Sequence, residues 1–340
     1  MTNWCRTLLS SVNVPRSASI LSTGAYLPSR VLTNAELEKM VDTTDEWILS
    51  RTGIRERRIA AEDEFTSDMG ARAAEQAIQQ AGIDPKTIDL IIVATCTPDT
   101  AFPSTACHIQ NKIGATRAAA FDVGAACSGF LYALVTAEQF VASGAYDTVL
   151  VVGAEKLSSI VNWQDRNTCV LFGDGAGAVI LQHRPGARGL LAFDLGADGA
   201  QTEILSVPAG GCRIPITPAV LDQRLQYLQM AGKEVFKYAV NAMNRSAEDT
   251  LEKAGVKAGQ LRWVIPHQAI QRIVDAVAQR LKIPLEHFIV NLDRFGNTSA
   301  ACMPICLHEA SMAGKLERGD VLLMVAFGGG LTWASTVLEW

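Results

Sequence analysis

Apolar runs of strand length alternate with amphipathic segments along most of the chain. Continuous apolar runs over residues 88–95, 149–152 and 321–327 predict strands that are buried on both faces. Amphipathic periodicity over residues 66–81, ended by Gly82, predicts a helix. Strands and helices that alternate in this way predict an α/β fold with mostly parallel central sheets.

The second half of the chain repeats the pattern of the first. The predicted strands at residues 261–265 and 321–327 match those at residues 90–94 and 149–152 in order and spacing. This indicates an internal duplication. Because ligands bind such sheets at strand ends where the two halves meet, the active site should draw on both halves.

Three regions follow from this division. Residues 1–17 lack clear periodicity and are expected to form a flexible extension. Residues 18–185 and 186–340 are expected to form one half each. By the same match, residues 289–292 should be a strand that leads into a helix starting near Asn297.

Composition excludes several classes of protein. Hydrophobic residues make up 49% of the chain and charged residues 19%, which is typical of a compact enzyme rather than a disordered chain. The net charge of −5 gives no general affinity for polyanions, so nucleic acid is not an expected partner. The longest apolar runs are too short to insert into a membrane. The eight cysteines are scattered with no secretory signal before them, so we expect a cytoplasmic protein.

Cys127 is the first candidate for chemistry. Residues 118–123 predict a short buried strand, residues 124–126 a turn of small residues, and Ser128 the start of an apolar helix. Cys127 therefore lies where strand and helix join. The positive end of a helix dipole lowers the pKa of such a thiol and favours a nucleophile. The alternative is a free cysteine packed as a small hydrophobic residue.

Three elements of the second half would then face Cys127. His267 follows a predicted strand and precedes a predicted helix over residues 269–281, and Asn297 lies at the start of another helix. The glycines at residues 328–330 form a turn whose N–H groups are open to an oxyanion. The simpler alternatives are a core or surface histidine, an N-cap asparagine and a plain turn.

Two further clusters allow a functional and a simpler explanation. Cys302 and Cys306 lie one helical turn apart near His308, but their apolar neighbours favour core packing, and we predict no metal. Residues 47–58 concentrate positive charge beside Trp47. This segment is either a solvated surface or the mouth of a site for a ligand that carries a flat ring and phosphate.

Seven motifs, in the same order, resemble those of the β-ketoacyl-acyl carrier protein synthase III family. They are DTTDEWILSRTGIR (42–55), AFPSTA (101–106), ACSGF (126–130), FGDGAGA (172–178), PHQA (266–269), GNTSA (296–300) and AFGGG (326–330). The resemblance covers the chain from about residue 16 onward. It implies an α/β, thiolase-like five-layer αβαβα fold made of two duplicated halves, a homodimer, and a decarboxylative Claisen condensation that initiates fatty-acid synthesis.

The resemblance also implies a catalytic role for each residue of the site. Cys127 would attack an acyl-CoA thioester, and the backbone N–H groups of Cys127 and Gly329 would form the oxyanion hole. Malonyl-acyl carrier protein would then lose CO₂. His267 and Asn297 would hold the resulting enolate, whose carbon attacks the acyl-cysteine. The CoA thioester is a substrate, and no cofactor is implied.

Substrate and partner contacts are carried over in the same way. CoA would contact Thr43, Trp47, Arg51, Arg166, Phe236 and Arg272, with its adenine between Trp47 and Arg166. Phe102 would cross the dimer interface to the tip of the partner's acyl pocket. An acidic carrier protein would dock on Lys237, Arg272 and Arg280. Solvated surface is the alternative for Lys237 and Arg280.

Two departures from the family pattern leave the acyl donor open. Ile270 stands where the family has an asparagine that binds pantetheine, and Asn167 stands where it has a glycine. Loss of one neutral hydrogen bond costs about 0.5–1.5 kcal/mol. The starter is therefore acetyl-CoA or another short acyl-CoA, or a different or longer donor used by a related condensing enzyme of secondary metabolism. A catalytically silent CoA-binding or scaffold protein would not need Cys127, His267 and Asn297 together.

Overall fold

The computed structural model describes residues 16–340, so most of the extension predicted for residues 1–17 lies outside the described residues. The strands are β1 (Ala18–Tyr26), β2 (Arg30–Thr33), β3 (Glu56–Ile59), β4 (Leu90–Ala94), β5 (Ala119–Val123), β6 (Thr148–Glu155), β7 (Gly175–His183), β8 (Leu190–Ala197), β9 (Leu205–Ser206), β10 (Gln229–Met230), β11 (Trp263–Pro266), β12 (Val321–Gly328) and β13 (Thr332–Glu339).

The helices follow the amphipathic segments of the sequence. They are α1 (Asn34–Leu37), α2 (Asp45–Thr52), α3 (Thr66–Ala81), α4 (Thr105–Lys112), α5 (Gly129–Ala142), α6 (Arg166–Cys169), α7 (Pro218–Asp222), α8 (Gly232–Ala254), α9 (Gln271–Leu281), α10 (Leu292–Phe295) and α11 (Cys302–Met312). Within residues 16–340, no helix has both the length and the apolar character needed to cross a membrane.

Two mixed sheets form the centre of the molecule. The first has the order β1-β7-β6-β4-β5, and the second has the order β11-β12-β13-β8. Most strands of the first sheet run in one direction, as expected: β1, β4, β5 and β6 share it, and β7 alone runs against them and is antiparallel to both its neighbours. In the second sheet the short glycine turn after β12 makes β13 antiparallel to it. The first sheet uses strands from residues 18–183 and the second from residues 190–339.

Five layers, in the order αβαβα, are stacked through three hydrophobic clusters. Alternate residues of β4 face opposite sides: Ile91 packs with α3 and α4, and Ile92 packs toward α5 and α11. Helices α5 and α11 lie between the two sheets, since one cluster joins Phe130 and Met303 to residues of both sheets. The outer face of the second sheet packs on α8 and α9.

Two predicted strands differ from the structure. The strand expected to be buried over residues 118–123 is β5, an edge strand whose residues are half-buried or exposed because it has a partner strand on one side. The strand expected over residues 289–292 is absent. Phe288 forms one isolated bridge with Val264, and the Asn291 N–H donates to the side-chain oxygen of Gln268. That side-chain contact replaces the ladder hydrogen bond that a strand would need.

Candidate active site

One cavity of about 840 Å³ opens between the two halves of the molecule. Its walls include residues of the first half and residues of the second, among them Cys127, His267, Asn297, Phe327 and Gly329. The sequence expectation that both halves contribute to one site therefore agrees with the position of these side chains. Their convergence places a thiol, an imidazole, a carboxamide and a glycine turn around one volume.

Cys127 lies in a single 3-10 turn, Ala126–Ser128, between β5 and α5. Ala126 has a φ of 44°, in the left-handed region that non-glycine residues adopt rarely. The turn packs against the glycine loop at the end of β12, where a Cβ on Gly328 would lie 2.6 Å from the Cys127 backbone nitrogen. Residue 328 must therefore be a glycine for the two backbone segments to pack this closely.

The environment of Cys127 raises the pKa of its thiol to about 12. Burial is the main cause, since the residue is 8% exposed, and the carboxylate of Glu155 adds to it. A hydrogen bond with the Ser299 side chain acts in the opposite direction. The sequence-based expectation of a lowered pKa is wrong because loss of hydration outweighs the position at a helix N-terminus. The thiol is protonated at neutral pH.

His267 lies directly after β11 and is 3% exposed. Its backbone N–H donates to Val325 O at 2.8 Å, and its Nδ1 lies 3.1 Å from Sγ of Cys302. Burial lowers the pKa of this imidazole to about 4, so the ring is neutral at physiological pH. With Nδ1 engaged by Cys302, Nε2 is the ring nitrogen available to the cavity.

Asn297 is held by backbone hydrogen bonds to the first half of the chain. Its N–H donates to Leu171 O at 2.8 Å, and its carbonyl accepts from Gly173 N–H at 3.1 Å. Its side-chain Oδ1 accepts from Ser299 N–H at 2.9 Å. Asn297 therefore makes an Asx-type turn rather than capping a regular helix, and its Nδ2 amide group is available to the cavity.

Two family profiles and many full-length relatives match this chain. The 3-oxoacyl-[acyl-carrier-protein (ACP)] synthase III profile matches residues 121–199, and its C-terminal counterpart matches residues 251–340. A β-ketoacyl-[acyl-carrier-protein] synthase III of Roseiflexus castenholzii is 54% identical over 323 residues, which cover 95% of this chain and 98% of the relative. This chain belongs to the β-ketoacyl-acyl carrier protein synthase III family.

Solved structures of synthase III proteins have the same fold. The crystal structure of 3-oxoacyl-[acyl-carrier-protein] synthase III from Aquifex aeolicus has a TM-score of 0.89 and 50% identity, and the match covers 95% of this chain and 100% of that one. A priming β-ketosynthase of the R1128 polyketide biosynthetic pathway has a TM-score of 0.88 and 36% identity, with 96% of each chain covered. The thiolase-like fold expected from the sequence is confirmed.

The family resemblance assigns six residues to CoA binding, and most of them line the cavity or lie beside it. Trp47, Arg51, Phe236 and Arg272 belong to its wall. Arg272 lies over the Phe236 ring, 5.4 Å from the centroid. The substituted positions Ile270 and Asn167 also line the cavity, so both are placed to affect a bound donor.

Arg166 and Thr43 lie outside the lining residues. The Arg166 guanidinium lies over the Trp47 ring, 5.2 Å from the centroid, and donates to Asp42 O at 2.8 Å. Thr43 has a buried hydroxyl with no hydrogen-bond partner among the described residues. A flat ring that inserts between Trp47 and Arg166 would replace an existing cation–π contact.

The other predicted contact residues are on the surface. Phe102 is 86% exposed and is not part of this cavity within the described chain. Lys237 and Arg280 are exposed, as is the cavity residue Arg272. Arg280 Nε lies 4.0 Å from Glu248, a separation at which an exposed ion pair contributes little.

The basic segment over residues 47–58 is not uniformly solvated. Arg57 is fully buried and donates to Leu32 O, Val170 O and the Asn34 side chain. Burial lowers the pKa of its guanidinium to about 10. Arg57 therefore joins the paired strands β2 and β3 to the end of α6, next to the loop that carries Asn297, and is not part of a phosphate site.

Glu155 and Cys96 are site residues that sequence analysis missed. Glu155 is fully buried at the end of β6 and accepts from Thr97 Oγ1 at 2.8 Å and from the Cys96 N–H at 3.1 Å. Burial raises the pKa of its carboxyl group. Cys96 lines the cavity, with its Sγ 3.3 Å from Glu155 Oε2. The sequence signal that could have identified Glu155 is its position as an acidic residue directly after the apolar run 149–154.

The cysteine pair of α11 is part of the core. Cys302 and Cys306 are both buried between the sheets, as core packing requires. His308 instead lies beside Thr23, with Nδ1 3.1 Å from the Thr23 hydroxyl. Across residues 16–340, no cluster of three or more His, Cys, Asp and Glu side chains is placed to hold a metal ion.

Proposed function

We propose that this condensing acyltransferase joins an acyl-CoA starter to malonyl-acyl carrier protein, giving a 3-oxoacyl-carrier protein, CoA and CO₂, and so initiates fatty-acid synthesis. The observation that carries the proposal is the convergence of Cys127, His267 and Asn297 on one cavity of about 840 Å³ in a member of the synthase III family. A protein that only binds CoA would not need a nucleophile such as Cys127 next to the two neutral hydrogen-bond donors His267 and Asn297.

The first step is transfer of the acyl group to Cys127. Its Sγ forms a bond to the thioester carbon, and the bond from that carbon to the CoA sulfur breaks. The thiol proton of Cys127 ends on CoA, which leaves as a thiol. Backbone N–H groups of Cys127 and Gly329 stabilise the oxyanion, since the glycine loop packs directly on the Cys127 turn.

The second step is decarboxylation and carbon–carbon bond formation. The malonyl carboxylate leaves as CO₂, and its electron pair forms an enolate that accepts hydrogen bonds from His267 Nε2 and Asn297 Nδ2. Because burial holds the His267 pKa at about 4, the ring is neutral and does not protonate the carbanion. The enolate carbon attacks the acyl group, and Cys127 leaves as a thiolate that takes up one solvent proton.

The active unit in this proposal is a cytoplasmic homodimer without a further cofactor. The edge strand β5 has one side without a strand partner in the described chain, and the exposed Phe102 lies in the segment before α4, which packs beside it. Pairing of two copies along this edge would carry Phe102 toward the partner's acyl pocket. Lys237, Arg272 and Arg280 supply positive charge for an acidic carrier protein.

A second candidate is a condensing enzyme that starts a secondary-metabolite chain with a different or longer donor. Two observations support this second candidate function. The chain is similar to the R1128 priming ketosynthase, and Ile270 lies in the cavity wall. An apolar side chain there removes a hydrogen bond expected to hold pantetheine and adds apolar surface for the donor.

One experiment separates these possibilities. The purified protein is incubated with radiolabelled acyl-CoAs of increasing chain length, with and without malonyl-acyl carrier protein, beside Cys127→Ala as the control. We expect an acyl adduct on Cys127 and a labelled 3-oxoacyl-carrier protein. Acylation without that product would overturn the proposal, and absence of any adduct would indicate a silent binding protein. A tenfold higher kcat/KM for longer donors than for acetyl-CoA would favour the second candidate.

A further inference from the structure

We infer that Cys302 is a positioning residue that holds His267 in the tautomer with its hydrogen on Nε2, the form that can donate to an enolate. This inference rests on the proposed function in assigning the enolate to His267. The tautomer itself is a property of the folded chain and can be tested without substrate.

A buried contact joins two neutral groups, the Cys302 thiol and the His267 imidazole. Cys302 is the first residue of α11 and is 2% exposed, and its Sγ lies 3.1 Å from His267 Nδ1. Burial raises the pKa of the Cys302 thiol and lowers that of His267. At neutral pH the contact therefore joins an S–H group to an uncharged imidazole.

Two arrangements of hydrogen are compatible with that distance. Either the thiol donates to Nδ1, or Nδ1–H donates to the sulfur. The sulfur already accepts a hydrogen bond from the backbone N–H of Gln268, at 3.5 Å. An imidazole nitrogen is a strong acceptor, whereas a thiol sulfur is a weak one. The thiol proton and the Nδ1 lone pair are both used only when S–H donates to Nδ1.

The tautomer decides what the ring offers to the cavity. With its Nδ1 accepting from Cys302, His267 carries hydrogen on Nε2, the nitrogen left for the cavity. The other tautomer would present a lone pair there, which repels an enolate oxygen. Asn297 also presents a donor to the cavity. Its Oδ1 accepts a hydrogen bond from the Ser299 N–H, which leaves the Nδ2 amide group as the donor.

Cys306 provides a matched control for packing. It lies one turn further along α11, is fully buried in the same hydrophobic cluster, and makes no hydrogen bond with His267 in the described chain. Cys306→Ala removes the same atoms from the same helix as Cys302→Ala. An effect that comes from a lost methyl-sized volume should therefore appear in both variants.

The test combines nitrogen NMR with separate rate measurements. Protein labelled with ¹⁵N-histidine is compared with Cys302→Ala, Cys302→Ser and Cys306→Ala, and the His267 signals are assigned by their loss in His267→Ala. We expect the Nε2–H tautomer in the starting protein, Cys302→Ser and Cys306→Ala, and a tautomer mixture in Cys302→Ala. Cys302→Ala should lower decarboxylation of malonyl-acyl carrier protein about three- to tenfold, the effect of one neutral hydrogen bond, with acylation of Cys127 within twofold.

Each outcome bears on the inference. An unchanged tautomer in Cys302→Ala, or an equal loss of decarboxylation in Cys306→Ala, would overturn it, as would the Nδ1–H tautomer in the starting protein. Failure of the proposed function is distinguishable, since the starting protein would then produce no 3-oxoacyl product while the ring signals still report the effect of Cys302.

Discussion

The side-chain oxygen of Asn297 accepts a hydrogen bond from the backbone N–H of Ser299 at 2.9 Å. Ser299 has a φ of 48°, a left-handed conformation that turns its N–H back toward Asn297. The acceptor end of the carboxamide is thereby occupied within the loop. The Nδ2 amide group of Asn297 remains free to donate to a ligand, and an enolate oxygen requires a hydrogen-bond donor.

We expect Asn297→Asp to slow decarboxylative condensation about 10²- to 10³-fold, the cost of removing one oxyanion donor. The aspartate oxygen can still accept from Ser299, but a second oxygen would replace Nδ2 and repel the enolate. Acylation of Cys127 should remain within a few-fold. Release of CO₂ from malonyl-acyl carrier protein and the mass of the acyl-enzyme measure the two steps. A condensation rate within threefold of the starting protein would remove Asn297 from the proposed role.

The raised pKa of Cys127 predicts a steep pH dependence for its alkylation. Because the pKa is about 12, the thiolate fraction should grow about tenfold for each pH unit between pH 7 and 10. The measurement is the rate of iodoacetamide modification at Cys127, followed by peptide mass spectrometry. Cys169→Ala, which alters a buried cysteine that is not among the residues lining the cavity, serves as the control. A plateau below pH 9 would show that the dipole of α5 dominates over burial after all.

Because His267 is buried as a neutral ring, we expect the free energy of unfolding to fall in mild acid. Its folded pKa of about 4 lies below the ordinary value of 6.5, so the unfolded chain binds more protons between these values. The free energy of unfolding should therefore fall as pH drops below 6.5, by about 2 kcal/mol at pH 5 from this group. Urea unfolding at pH 7 and pH 5 gives the change, and His267→Gln should show the smaller decrease. Equal decreases in both proteins would contradict a buried neutral ring.

Gly328→Ala tests the contact between the glycine loop and the nucleophile turn. The added Cβ would lie 2.6 Å from Cys127 N and 3.1 Å from Ser128 N, so one backbone segment must shift. We expect a destabilisation of about 1–3 kcal/mol and slower acylation of Cys127. Gly259→Ala is the matched control, since a Cβ there meets nothing within 4 Å. Both quantities come from urea unfolding and the burst of CoA release. Normal acylation in a stable Gly328→Ala protein would argue against the proposed oxyanion hole.

The sequence by itself determined the local elements and the identity of the candidate residues. The helix predicted over residues 66–81 is α3, and the apolar runs 149–152 and 321–327 lie within β6 and β12. These features depend on the periodicity of neighbouring side chains, which the chain carries along its length. The motifs around Cys127, His267 and Asn297 are likewise contiguous, so the family resemblance could be recognised before any fold was known.

Only the tertiary structure decided which strands pair and how groups distant in the chain alter one another. The direction of β13, the edge position of β5 and the absence of a strand at residues 289–292 depend on partners far along the chain. The Cys127 pKa shifts upward because both halves enclose the thiol and remove its water, a change that no local pattern reports. The contact between Cys302 and His267 joins residues 35 positions apart. Burial and non-local contact are properties of the assembled layers, and for that reason they could not be deduced from the spacing of residues.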